Sequence, residues 1–345
     1  MKLNNIISKV KSIKIKNDFV FSVKNDNSLV LNEIVLDVHV EAQSLNLIHS
    51  FYLIYRNLNE LSFIYDINKN SIIDFNKNHP ILYLILKNTW LTTFDFKYTN
   101  ELSWKVGLFN PLIQKNPVEI MELQNKSVNY LSEELLFASD KNSISCYNLI
   151  DCKIDWLVEN KFNIEYRIIG IFKSQIIIIL GTKYIYSLDK NSGKILWELP
   201  DWEKDFIFFN EKHKWYNATH NMFIEDGKIY NMSGALYYSI DLETRAVEIL
   251  WHDERPVDHY FIKYFTYDRD YIYFAGGINI SIQANKIGIF NRKTLQVECI
   301  SDDDLGIDPL HGYAASYNQA PQYGGGKLYG LDTAGNLRIY QVDLS

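Results

Sequence analysis

The sequence predicts an all-β protein, a seven-bladed β-propeller of four-stranded antiparallel blades closed by an N-terminal strand. Three observations predict it. A unit of strand, gap, strand ending in Asp or Asn, polar turn and strand recurs along the chain. Tyr (24) and Phe (19) are abundant against 16 Gly, a composition suited to pleated, half-buried strands. The last copy of the unit stops one strand short, and an N-terminal strand is the usual way such a gap is filled.

In chain order, seven copies align. They are FYLIYRNLNELSFIYDINKNSIIDF from Phe51, ILYLILKNTWLTTFDFKYTNELSWKV from Ile81, ELLFASDKNSISCYNLIDCKIDWLV from Glu134 and IIIILGTKYIYSLDKNSGKILWEL from Ile176. KIYNMSGALYYSIDLETRAVEILW from Lys228, YIYFAGGINISIQANKIGIFNRKTLQVECI from Tyr271 and KLYGLDTAGNLRIYQVD from Lys327 complete the series. Each is a meander of short alternating strands that cannot bury both faces alone, and repeats of roughly 40 to 50 residues solve this by radial packing. The runs 19–23 and 29–40 are each suited to be the closing strand; the count becomes eight if residues 1–40 form more than that strand. A single domain over 1–345 is expected.

Within the units, Asp189, Asp241 and Asn291 open the turns between third and fourth strands, where their side chains can accept backbone amides. Gly193 supplies the positive φ such a turn wants. The run Gly324, Gly325, Gly326 precedes a strand, so it is read as a tight bend near the axis and not as a phosphate loop.

The stretch YIYSLDKNSGKILWEL at 184–199 resembles the repeat of the pyrroloquinoline-quinone-type (PQQ-like) propeller family, whose consensus is close to h-Y-A-L-D-x-x-T-G-K-x-x-W. YYSIDLETRAVEILW, CYNLIDCKIDW and KIGIFNRKTLQVEC match more weakly. The resemblance implies that Trp104, Trp156, Trp197 and Trp251, read at equivalent places on fourth strands, pack between adjacent blades. Quinone-dependent dehydrogenases of that family are larger and exported, with an adjacent cysteine pair and Ca²⁺-binding carboxylates. Here Cys146, Cys152 and Cys299 are never adjacent and no Ca²⁺ loop is recognisable. The N-terminus lacks a secretory or lipoprotein signal, which also sets the chain apart from the outer-membrane assembly lipoprotein with a similar propeller. The expectation is a non-catalytic, stand-alone member with no cofactor and no metal.

Composition excludes other classes. A net charge of −7 lacks the basic footprint of nucleic-acid binding. The strongest apolar run, 176–180, is too short to span a bilayer. No G-x-S-x-G, H-E-x-x-H or C-x-x-C occurs. The cysteines read as buried apolar thiols, and the expected location is cytoplasmic.

A meander places third-to-fourth turns at one end of every blade and the fourth-to-next-first and second-to-third connections at the other. The first set is short (DKNSG, DLETR, NRKTL), whereas the second grows long at 200–218, 252–260, 276–285 and 301–317. Those loops hold Trp202, His213, Trp215 and Tyr216; His252, Asp253, Glu254, Arg255, Asp258, His259 and Tyr260; and Asp302, Asp303, Asp304, Asp308, His311, Tyr313 and Tyr317. Long loops on a rigid scaffold carry function, and aromatics mixed with charges are what protein interfaces enrich. The reading is a non-enzymatic protein-binding module with Trp215, Arg255 and Tyr260 as candidate hot spots. By analogy it is an immunity protein neutralising a cognate, basic bacterial toxin domain; the Asn-, Ile- and Lys-rich composition suits an AT-rich bacterial gene. The alternative is an enzyme or small-ligand binder using the central pocket, with His252, Asp258, His259, Asp302 or His311 as acid–base groups.

Overall fold

The computed structural model describes residues 1–48, 52–59, 61–78, 81–86, 89–98, 102–110, 118–131, 135–140, 142–151, 153–159, 166–180, 184–199, 222–253, 255, 260–278, 283–301 and 304–344. It contains eight four-stranded antiparallel sheets, the blades of a β-propeller. The chain forms two compact units, residues 1–42 with 203–345, and residues 43–202.

The N-terminal strand β1 (Lys2–Ile7) precedes the first complete blade, β2–β5 (Val10–Lys16, Phe19–Lys24, Leu29–Leu31, Ile34–Asp37). The second blade is β6–β9 (Asn46–Ile48, Tyr52–Arg56, Leu61–Asp66, Ser71–Asn78). The third is β10–β13 (Ile81–Leu86, Thr89–Tyr98, Leu102–Phe109, Val118–Gln124) and the fourth β14–β17 (Ser127–Leu131, Leu135–Ser139, Ser143–Asn148, Lys153–Glu159). The fifth is β18–β21 (Tyr166–Phe172, Gln175–Leu180, Tyr184–Asp189, Ile195–Leu199) and the sixth β22–β25 (Phe223–Glu225, Lys228–Ser233, Leu236–Asp241, Val247–His252). The seventh is β26–β29 (Tyr260–Tyr267, Tyr271–Ile278, Lys286–Asn291, Gln296–Ile300). The eighth is β30–β32 (Gln322–Gly324, Lys327–Leu331, Leu337–Gln341), with β1 as its outer strand.

The blade count is therefore eight, the alternative left open by residues 1–40. The closing strand is Lys2–Ile7, not 19–23 or 29–40, which belong to the first blade. An edge strand buries little, so Lys2, Asn4 and Asn5 suffice there and no apolar run advertises it. The copy from Ile81 also shifts rank. Ile81–Leu86 is the first strand of its sheet, so Trp104 lies on a third strand, β12, while Trp156, Trp197 and Trp251 lie on fourth strands. Alternation gives a strand its faces but not its place in the blade.

The core lies between neighbouring sheets. One cluster joins Phe137, Cys146 and Trp156 of the fourth blade to Ile176, Ile178 and Leu188 of the fifth. Another joins Val10 and Ile13 of the first to Tyr329, Leu331 and Leu337 of the eighth. Trp156 shows the docking directly: its Nε1 donates to the Lys190 carbonyl of the next blade at 2.8 Å. Trp251 meets the Phe290 ring of the next blade edge-on at 5.2 Å, whereas the Trp197 Nε1 donates within its own blade to Gln175 Oε1 at 2.9 Å. Cys146 is buried, and that burial pushes its thiol up to about 12; Cys299 is partly buried, and Cys152 lies outside the described residues.

The Asx turns form as the sequence implies. Asp189 Oδ1 accepts the amides of Asn191 and Ser192, and Asp241 Oδ1 those of Glu243 and Thr244. Asn291 Oδ1 accepts those of Lys293 and Thr294. Gly325 and Gly326, both at positive φ, turn the chain from β30 to β31; a Cβ on Gly324 would lie 2.3 Å from the Asn17 carbonyl oxygen, so this bend does crowd its neighbour.

Candidate functional site

The long connections at one end of the sixth, seventh and eighth blades carry the predicted partner residues. Trp202, His213, Trp215, Tyr216, Glu254, Asp258, His259, Asp302 and Asp303 lie outside the described residues. The second-to-third loop of the seventh blade is shorter than its predicted 276–285, because β27 continues to Ile278.

After β25 the chain leaves His252 half-buried at the strand end and turns on Asp253. The Asp253 side chain is almost enclosed. It accepts the Arg255 Nε at 2.7 Å on one oxygen, and on the other an Arg255 terminal nitrogen at 2.5 Å and the Tyr260 amide at 2.8 Å. Burial by itself would raise this carboxyl; the fork of Arg255 and the two backbone amides outweigh it and hold it below the usual carboxylate range. Arg255 lies over the Tyr260 ring at 4.4 Å, with half its side chain exposed. Two of the three sequence-named hot spots thus form one clamp that offers a flat, cationic, aromatic-backed surface.

The connection from β29 to β30 folds into a small hairpin. Asp308 N donates to the Tyr313 carbonyl at 2.7 Å, Ala315 N to Gly306 at 2.8 Å and Gly312 N to Asp308 at 2.8 Å. Asp308, only 3% exposed, accepts the Leu310 amide at 2.8 Å and His311 Nδ1 at 2.9 Å. The His311 contact, then the Leu310 amide, hold the Asp308 carboxyl below its ordinary value. The base of the loop is fixed too. Tyr317, 1% exposed, shares a hydroxyl hydrogen bond with Tyr340 at 2.8 Å. Arg338 donates to Asp332 at 3.1 Å and to the carbonyls of Asp304 and Leu305 at 3.3 and 3.1 Å.

This geometry sorts the predicted residues. Asp308 and Tyr317 are buried and build the loop, so they are not contact surface; Asp304, His311 and Tyr313 are exposed on it. It also brings out two residues absent from the sequence reading. Ile307 (72% exposed) and Leu310 (81%) stand out beside Tyr313 (71%) from a backbone that is locked. Their signal in the sequence is Asp308-Pro-Leu-His-Gly312, the same spacing as the Asp189 turn. Among the described residues, no group of three or more His, Cys, Asp or Glu is arranged to hold a metal, and no helix is long and apolar enough to cross a membrane. The acid–base alternative retains the His311–Asp308 pair, whose carboxylate is already engaged by the Leu310 amide.

No family model and no curated protein matches the sequence. Among solved structures, the chain is similar to Sqt1 from Saccharomyces cerevisiae, with a TM-score of 0.60 at 10% identity and all of both chains covered. It is similar to the computationally designed Ika8 protein, with a TM-score of 0.59 at 10% identity, covering 99% of this chain and 98% of the other. BamB from Moraxella catarrhalis aligns over 98% of this chain and 99% of its own at 8% identity, with a TM-score of 0.49. The first two likenesses establish the fold.

Proposed function

We propose that the protein is a non-enzymatic binding module that docks a protein partner on the long-connection end of its sixth to eighth blades. One observation carries the reading: Ile307, Leu310 and Tyr313 project from a loop held by a buried carboxylate. Exposed large apolar side chains cost solubility, and a pre-ordered backbone removes the entropy that a flexible loop would lose on binding. The Arg255–Tyr260 clamp adds two residue types enriched at hot spots.

The finer reading is an immunity protein that neutralises a cognate, basic bacterial toxin domain in the cytoplasm. The net charge of −7 and the acidic run Asp302, Asp303, Asp304 support it, since they would speed encounter with a basic surface. The test places a photo-cross-linking residue at Leu310 or, at the other blade end, at Lys190, in cells that also express the product of the adjacent gene. Adducts from position 310 that vanish in an Ile307→Ser/Tyr313→Ser background are expected. Adducts from position 190 alone would overturn the assignment of the face. A partner that binds but has no toxicity when expressed by itself would remove the immunity role and leave the docking surface.

A further inference from the structure

We propose a second, separate site at the opposite end of the sixth and seventh blades, which takes a small zwitterion with an apolar body, on the scale of a dipeptide. There the β22–β23, β26–β27 and β28–β29 turns line an open pocket of about 330 Å³, at the small end of ligand sites.

Its aromatic lining is built before any ligand arrives. Tyr230 and Tyr237 line the pocket and end a near-parallel ladder of rings, Tyr267, Phe223, Tyr230 and Tyr237, with successive centroids 3.7, 5.5 and 5.9 Å apart and interplanar angles of 14°, 21° and 20°. Arg292 lies along it, 5.2 Å from the Phe223 centroid and 5.3 Å from that of Tyr230. Its donors are committed: Nε to the Tyr237 hydroxyl at 3.1 Å, one terminal nitrogen to the carbonyls of Asp268 and Arg269 at 2.7 and 3.0 Å, and the other to Glu225. Lys293 pairs with Asp270 at 2.7 Å. Arg292 with Glu225 and Lys293 with Asp270 are thus matched charges.

Two charges on the lining remain. Asp226 comes from the sixth blade and Arg269 from the seventh. Neither side chain makes a hydrogen bond or ion pair among the described residues, and Arg269 acts only through its field on Asp270. On the same lining, Leu250, Leu295 and the Tyr230 ring supply apolar wall. A carboxylate on one blade, a guanidinium on the next and apolar groups on the same lining match a molecule with an ammonium at one end, a carboxylate at the other and a hydrocarbon body. A volume of about 330 Å³ accommodates a dipeptide.

The test is calorimetric titration of the full chain with the dipeptide Leu-Phe, its N-acetyl form and its C-terminal amide. The zwitterion is expected to bind, with each capped form weakened at least about tenfold, the scale of one charge-assisted contact. Asp226→Asn should erase the difference between Leu-Phe and its N-acetyl form, and Arg269→Gln that between Leu-Phe and its amide. Capped forms that bind as well as the zwitterion, or no saturation at millimolar peptide, would overturn the proposal. The capped series on the unmodified protein decides the matter even where a variant misfolds. Because the site lies at the other blade end, its failure would leave the docking surface untouched.

Discussion

Two turns of this molecule share one construction and differ in what surrounds it. Asp189 to Gly193 and Asp308 to Gly312 both run Asp-x-x-x-Gly. In each the carboxylate accepts the amide two residues on, the final glycine amide returns to the Asp carbonyl at 2.8 Å, and the glycine sits at a φ of 68° or 70°. A Cβ on Gly193 would lie 2.5 Å from the Trp156 ring, whereas one on Gly312 meets nothing within 4 Å. The first turn is a packing surface for a neighbouring blade; the second holds its side chains out to solvent. A local motif therefore fixes the backbone, and the presence or absence of a tryptophan opposite decides whether the turn serves the fold or the surface.

The largest effect separating the two turns should come from Trp156→Ala, which removes buried aromatic volume and costs about 3–5 kcal/mol in denaturant unfolding. No single substitution in 306–315 should approach that. Next, Gly193→Val should cost about 1–3 kcal/mol of overpacking on top of about 1–2 kcal/mol for the left-handed backbone. Gly312→Val should show only the second contribution. Equal losses at the two glycines would mean the loop is packed after all. The triple Ile307→Ala/Leu310→Ala/Tyr313→Ala change should move stability by under about 0.5 kcal/mol while weakening partner binding by about 2 kcal/mol per anchor.

A pH scan sharpens the comparison further. Asp189 and Asp308 are both held below the ordinary carboxylate value, Asp189 chiefly by its contact with Ser192 and Asp308 chiefly by His311. Each lock is complete above the unfolded value of about 3.9 and is lost as pH falls through the lower folded value. Hydrogen exchange should therefore show the amides of Leu310 and Gly312 opening below about pH 4 ahead of those of Ser192 and Gly193, which Trp156 covers. The smallest effect concerns Cys146. Its thiol, pushed up to about 12 by burial under the same tryptophan cluster, should resist alkylation at pH 8 in the native state. Labelling as fast as that of a free thiol would show that the Trp156 side of the comparison is loose.

The fold was legible because second to fourth strands carry apolar alternation and end in recognisable Asx turns. The eighth blade count and the rank of Trp104 were harder for the same reason. Innermost strands such as Phe223–Glu225 and Gln322–Gly324 are three residues long, and β2 reads VKSIKIK, with lysines between its buried positions. At the candidate site, the sequence named the loops, with Arg255 and Tyr260 as separate candidates, but ranked aromatics and charges above aliphatics. Ile307 and Leu310 pass in a sequence for ordinary core residues, and Tyr317 passes for surface. Burial in a long loop is decided by which side chains reach back to the blades, and here that is Tyr317 to Tyr340 and Asp308 to its own backbone.

The pairing of β1 with β32 has a consequence for synthesis. Ile7 meets Leu337, 330 residues further along the chain. At about 5–20 residues per second, β1 waits roughly 17–70 s for its partner to emerge. Throughout that interval it is an orphan edge in a crowded cell, able to pair with any other exposed strand. Lys2, Asn4 and Asn5 are polar and exposed, a composition that disfavours such pairing both while the strand waits and along the outer edge of the finished blade.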